Sequence, residues 1–544
     1  MLKTRIEALA AALGIVALLA GPAGPASGRP AVAGEQHTPA PPAAGQHGQN
    51  PPQGGHQSAP EAQVPELPAA GVEIVVDNGI THQVMEGFGA TTDARSRDGN
   101  DQIGAMRPKV LEAIYGQVKL NMGDIHCGPY EGRWNPEKVE GLPPTSNDND
   151  DPNSFDPTGF RWGRSDDAKT RLVDLAGPLG FDNFCLSGRI STRWGDPWLG
   201  ELRKKDRRLW LEECAENAVA VLVRWRDQYK IVPRWHQLFN EPLGGNNEVQ
   251  GANERDIADL VKACGARFRK EGFKDLKMVV PSEETVRYST ALARVILDDP
   301  QARQYVGAIG YHTYPYGSIY CDVKRILASS GAGKPDAAEV RSRSELRDLA
   351  SKHGLQTWMT EVSHGNADRF TTLRGRAVQI HDELLYADAS AFWGMFILTN
   401  LRPTGRSHGG DPAKDEDGMV AFDPKAQTFH LLGMGYAVGH YARFLSRGAV
   451  RVEATSAHPL VQVTAFRDDG RKTVVLVLIN NARAAAQVKV SLKGFGNRER
   501  LTFKGEQSTA KSFWAEIGPF QSESPAGLAL SLPAESVTTI SAGL

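Results

Sequence analysis

Apolar residues fall along this chain in two alternating patterns from about residue 72 to residue 445. Short runs with a β-strand signature are separated by longer segments whose apolar positions recur at helical spacing. The helical faces are Val110, Leu111, Ile114 and Tyr115, then Leu211, Cys214, Ala218, Val221, Leu222 and Trp225, then Ile257, Leu260, Val261, Cys264 and Phe268. Leu346, Leu349 and Ala350, and later Ala377, Ile380, Leu384 and Leu385, extend the series. Between them lie strand candidates at Gln83 to Ala94, Val118 to Met122, Asn183 to Leu186, Trp235 onward, Lys277 to Pro281, Ala308 to Tyr314, Gln356 to Glu361 and Ala391 to Ile397. Strands alternating with helices predict parallel pairing with helical crossovers, and eight such units suffice for a closed (β/α)8 TIM barrel.

Beyond Ser446 the pattern changes to short alternating segments separated by turns. Val461 to Phe466 and Thr473 to Ile479 flank the turn Asp468-Asp469-Gly470 as a hairpin, and Val488 to Leu492, Leu528 to Leu532 and Val537 to Ile540 add strands. A C-terminal antiparallel β-sandwich domain is expected over 446–544, beside a barrel over 71–445, with the strand at 71–80 lent to the sandwich. The turn signal Asp77-Asn78-Gly79 is expected to end that strand.

The N-terminus reads differently. Lys3 and Arg5 precede an apolar segment from about Ala8 to Ala20, and Ala31-Val32-Ala33 fits a cleavage site, so 1–33 is expected to be a signal peptide and the protein secreted or periplasmic. Residues 34–70 are Pro, Gly, Gln and Ala with few large apolar side chains, which predicts a disordered linker. No run is long enough for a membrane span. A net charge of -2 gives no basic face for nucleic acid. The five cysteines, Cys127, Cys185, Cys214, Cys264 and Cys321, form neither a CxxC pair nor a Cys/His cluster, and the acidic loops Asn147 to Asp151 and Asp411 to Asp417 match no calcium-loop spacing. No cofactor or metal is expected, and a monomer is.

Two strand candidates end on glutamate: Trp235-His236-Gln237-Leu238-Phe239-Asn240-Glu241-Pro242 and Trp358-Met359-Thr360-Glu361. In a barrel the chemistry sits at the carboxyl ends of the strands, and strands four and seven would bring Glu241 and Glu361 to one rim. Two carboxyl groups about 5 to 5.5 Å apart can cleave a glycosidic bond with retention, one as acid/base and one as nucleophile.

From Val72 to the C-terminus the sequence resembles glycoside hydrolase family 30, of the clan of (β/α)8 retaining glycosidases. The resemblance is carried by Gly87-Phe88-Gly89-Ala90-Thr91-Thr92-Asp93-Ala94, by Leu238 to Pro242, by Trp358 to Glu361, by Tyr436 to Phe444 with Gly448 to Arg451, and by Leu532 to Thr539. It implies a retaining β-glycosidase acting on a carbohydrate substrate, with Glu241 as acid/base, Glu361 as nucleophile and Asn240 on a sugar hydroxyl. His312, Tyr314, Trp393, Trp194 and Trp198 are the implied sugar-binding candidates. Where an arginine would be expected after strand two, Asp124 and His126 stand, with Asp124 a further substrate-binding candidate, which leaves the sugar open among β-1,6-glucan, xylan, galactan and glucosylceramide. Another family of the same clan, or a carbohydrate-binding barrel without turnover, is the alternative.

Overall fold

The computed structural model describes residues 65–544 apart from 92–106, 127–146, 150, 157–158, 161–172, 175, 188–189, 193–196, 246, 315–321, 364–366, 401–417, 424–425, 496–499 and 524–526. The expected signal peptide and most of the expected linker lie outside the described residues, as do Trp194, Cys127, Cys321 and the loop 411–417.

Among the described residues eight parallel strands close into a barrel in chain order. They are β2 (Gly87–Thr91), β3 (Met122–His126), β4 (Asn183–Ser187), β5 (Trp235–Gln237), β6 (Lys277–Glu283), β7 (Val306–His312), β8 (Gln356–Glu361) and β9 (Ala389–Gly394), preceded by β1 (Val72–Val84). Their inward side chains Met122, Cys185, Trp235, Val279, Ala308, Trp358, Ala391 and Trp393 form one buried layer. The barrel interior is thus a packed core, not a pore. Helices follow where the periodicity predicts them: Arg207–Tyr229 buries Cys214, Ala218, Val221, Leu222 and Trp225, and Glu254–Lys270 buries Ile257, Leu260, Val261, Cys264 and Phe268. The second helix starts in a capping box between Asn253 and Asp256.

Some expected boundaries move. The second barrel strand is Met122–His126, four residues later than expected. The Val118 N–H instead caps the preceding helical turn through Ala113 O, and Lys119 adopts a left-handed φ of 64°, so buried Val118 and Leu120 lie in the approach to the strand. The last barrel strand ends at Gly394, and Phe396 turns the chain at φ 58°. Gly89 has no room for a side chain, since a Cβ there would lie 2.4 Å from Met122 O on the neighbouring strand. A three-stranded sheet of β10 (Leu398–Asn400), β11 (Val420–Asp423) and β12 (Thr428–Leu431) was not foreseen.

The second sheet contains β1 and the strands β13 (Val450–Ser456), β14 (Val461–Asp468), β15 (Thr473–Asn480), β16 (Ala486–Lys493), β17 (Thr502–Thr509), β18 (Ser512–Gln521), β19 (Leu528–Leu532) and β20 (Ser536–Gly543). Their order is β18-β17-β20-β15-β14-β13-β1-β16-β19. Asp468 pairs with Thr473 at the expected hairpin. Two details differ from the reading of the sequence. The Asp77-Asn78-Gly79 signal is not a strand end: β1 runs through it as an irregularity in its pairing with β13. The β1–β16 pair is parallel, so the sandwich is not wholly antiparallel.

Strand β15 is buried on both faces. Val474, Leu476 and Leu478 point into the sandwich core, while Val475, Val477 and Ile479 join the large core shared with the barrel. The two parts are pinned by the helix Gly433–Ala442. Its buried His440 lies 2.8 Å from Ser508 Oγ and 3.0 Å from Thr539 Oγ1, and Trp514 Nε1 donates to Tyr436 O.

Candidate active site

Regular pairing of β5 stops at Gln237, yet the chain stays buried through Pro242. It is held by single hydrogen bonds to both neighbours, with Ile190 N–H donating to Leu238 O and Glu241 N–H donating to Ser282 O at 2.8 Å. Glu241 itself sits at φ 46°, a left-handed conformation that costs a non-glycine residue and persists only where its surroundings impose it. Glu361 is placed more simply, as the last residue of β8.

His312, which ends β7, joins the two. Its Nδ1 lies 2.9 Å from Glu241 Oε1 and 3.9 Å from Glu361 Oε1. Chelating atoms of Glu241, His312 and Glu361 all lie within 4.8 Å of one another, so the two carboxylates face each other across a short gap. Two residues past His312, the Tyr314 hydroxyl donates to Glu361 Oε1 at 3.1 Å and meets Ser363 Oγ at 2.9 Å. Burial, and then the Glu361 charge, push the Tyr314 phenol well above its ordinary pKa, so it remains a donor at neutral pH.

Asn240 precedes the acid/base candidate and is buried. Its Nδ2 donates to Glu248 Oε1 at 3.1 Å, and because an ionised carboxylate only accepts, this bond fixes which way the amide points. Asn240 Oδ1 is left without a partner among the described residues.

The remaining candidates are placed as follows. Asp124 is fully buried on β3, accepts from the Ser187 hydroxyl and lies close enough to His236 to favour its charged form. Burial dominates at His236, however, and holds it down at about 4, a neutral side chain. Trp393 is fully buried in the interior layer, edge-on to Trp358 with ring centroids 5.6 Å apart. Trp198 lies half-buried on the helix Pro197–Lys205, against the barrel core.

Sequence reading passed over Ser363, Glu248 and Glu283. Glu283 ends β6 directly beside the Glu241 segment, in the run Pro281-Ser282-Glu283-Glu284, and a strand ending on carboxylate was the same signal that singled out Glu241 and Glu361. The Glu241, His312 and Glu361 donor set also has a spacing that a divalent cation accepts. Among the described residues no helix is long and apolar enough to cross a membrane.

The class defined by these features is a (β/α)8 barrel with a flanking β-sandwich and a paired-carboxylate site at the carboxyl ends of its strands. Residues 448–540 match the glycosyl hydrolase family 30 beta sandwich domain. The chain is 27% identical over 221 residues to a glucuronoxylanase of Bacillus subtilis, a match covering 40% of this chain and 42% of that protein. With a second B. subtilis glucuronoxylanase the match covers 54% of the relative, so the chain spans about half the length of the curated relatives it matches. Among solved structures, the family 30 subfamily 8 xylanase of Clostridium acetobutylicum superposes with a TM-score of 0.58 at 18% identity, over 87% of this chain and 100% of that one. An endo-β1,6-glucanase superposes with a TM-score of 0.57 at 15% identity, over 87% and 94%. At such identities the likeness is one of fold.

Proposed function

We propose that the protein is a secreted retaining β-glycosidase that hydrolyses a β-linked polysaccharide by double displacement. The observation that carries this reading is the approach of Glu241 and Glu361 to within 4.8 Å. An inverting enzyme must fit a water between its carboxyl groups and keeps them about 6.5 to 9.5 Å apart, whereas direct attack by one of them needs about 5 to 5.5 Å.

In the first step protonated Glu241 gives its proton to the glycosidic oxygen as the bond to the anomeric carbon breaks. Glu361, whose Oε1 accepts from the Tyr314 hydroxyl, attacks that carbon from the opposite face. In the second step Glu241, now a carboxylate, takes a proton from water as the water displaces Glu361. His312 Nδ1 can accompany both states, accepting from the carboxylic acid when neutral and donating to the carboxylate when protonated on that nitrogen. Asn240 Oδ1 is available to accept from a sugar hydroxyl.

Lys3, Arg5 and the apolar segment that follows them support export. Xylan is the first substrate to try because the curated relatives are glucuronoxylanases, and β-1,6-glucan is the second because a structural neighbour cleaves it. The test is a screen of xylan, glucuronoxylan, β-1,6-glucan and β-galactan with the wild type and E361Q, with and without EDTA. Hydrolysis by the wild type, lost in E361Q and indifferent to EDTA, is expected. Binding without hydrolysis would return the protein to the carbohydrate-binding class, and loss of activity on chelation would assign the same three side chains to a metal.

A further inference from the structure

A further buried carboxylate at this end of the barrel, Glu283, has no part in the two-glutamate mechanism, and its contacts are unusual for a structural acid. Both oxygens accept from consecutive backbone amides of the segment that follows the acid/base: Leu243 N–H to Oε1 at 2.8 Å and Gly244 N–H to Oε2 at 3.0 Å. The residue before it, Ser282, accepts the Glu241 N–H through its carbonyl oxygen at 2.8 Å. One strand end therefore holds the Glu241 segment on both sides of the glutamate. Gly244 is cut to suit, since a Cβ there would lie 2.4 Å from Glu283 Oε2. The segment needs this hold because regular pairing ends at Gln237 and Glu241 occupies a left-handed φ of 46° that it would leave if released.

We propose that Glu283 is a positioning residue, which fixes the backbone of residues 241–244 so that the Glu241 carboxyl is held where it can pass a proton to the glycosidic oxygen. The inference rests on the glycosidase reading above. The groups around Glu283 are Glu241 and Glu284, both carboxylates, with the backbone amides of Leu243 and Gly244 opposing them, and beyond Glu241 stand His312, Glu361 and Tyr314.

A residue that serves only proton donation leaves a signature in leaving-group dependence. The experiment compares kcat/KM of wild type, E283Q and E283A on the polysaccharide cleaved in the screen and on the 2,4-dinitrophenyl β-glycoside of the same sugar, whose departure needs no acid. If xylan is cleaved, the probe is 2,4-dinitrophenyl β-xylobioside. E283A is expected to lose about tenfold or more on the polysaccharide and under about threefold on the activated glycoside. E283Q falls between, because its amide keeps one accepting oxygen and offers N–H groups to the other donor. G244A, which pushes the carboxylate aside without removing it, should reproduce the E283A pattern and carries the test if E283A does not fold. Equal losses on both substrates, or no loss on either, would overturn the proposal while leaving the glycosidase reading intact. A wild type inert on every β-glycan would sink that reading and this inference with it.

Discussion

Where the barrel strands begin, Glu86 is buried just before β2 and accepts from Asn183 Nδ2 at 3.2 Å and Gln356 Nε2 at 3.1 Å, side chains that open β4 and β8. Arg234 completes the set from the rim at 3.7 Å. Where the strands finish, Glu241, Glu283 and Glu361 crowd together with one imidazole and one phenol between them. Both ends bury carboxylates in the same scaffold. At the first end each oxygen is matched by neutral or cationic donors, so the acid ties strands together; at the second, carboxylates share a site, and burial with the neighbouring Glu241 charge favours the protonated form of Glu283. The barrel thus keeps its stability devices at one rim and its chemistry at the other.

Substitutions that replace one carboxylate at a time separate the two ends, and the largest effect belongs to Glu361. E361Q should lower turnover about 10⁴-fold or more while the melting temperature moves by no more than about 2 °C, checked by kinetics and calorimetry on one preparation. E241A should cost about 10² to 10⁴-fold on polysaccharide, with azide restoring turnover of an activated glycoside as the glycosyl azide. Y314F removes one donor to Glu361, and a fall in kcat of about tenfold is expected. At the opposite rim E86A should leave kcat within about twofold but lower stability by about 1 to 3 kcal/mol, read from denaturant midpoints. A large loss of kcat in E86A would break the comparison.

The smallest effect is in the pH dependence of stability. Burial pushes the Glu283 carboxyl up to about 7, with the Glu241 charge adding to it. A carboxyl raised in the folded state binds its proton more tightly there than when unfolded. Its contribution is therefore fully present below the ordinary value of 4.5 and is lost as pH rises through about 7. Melting curves of the wild type should fall by about 1 to 2 kcal/mol over that window relative to E283Q.

How much of this was legible in the sequence follows from which interactions are local. Helical faces such as Leu211 to Trp225 repeat at a fixed spacing and stand where the pattern put them. The carboxylates ending the Trp235 and Trp358 runs were visible because a polar residue stopped an apolar run. Glu283 gave the same signal but lay two residues beyond the expected strand end, and its partners Leu243 and Gly244 are distant in sequence. The shift of β3 depends on the left-handed turn at Lys119, and the parallel β1–β16 pair on contacts across some four hundred residues. Neither leaves a local mark. Trp393, which the resemblance placed near sugar, lies fully buried with its ring edge-on to Trp358.

The central claim is that Glu241 and Glu361 are close enough for one to attack where the other donates. It is tested most directly by following the first minutes of hydrolysis of the cleaved β-glycan by proton NMR. The geometry predicts that the β-anomer of the new reducing end appears first and then mutarotates; initial appearance of the α-anomer would mean that water, not Glu361, attacks the sugar.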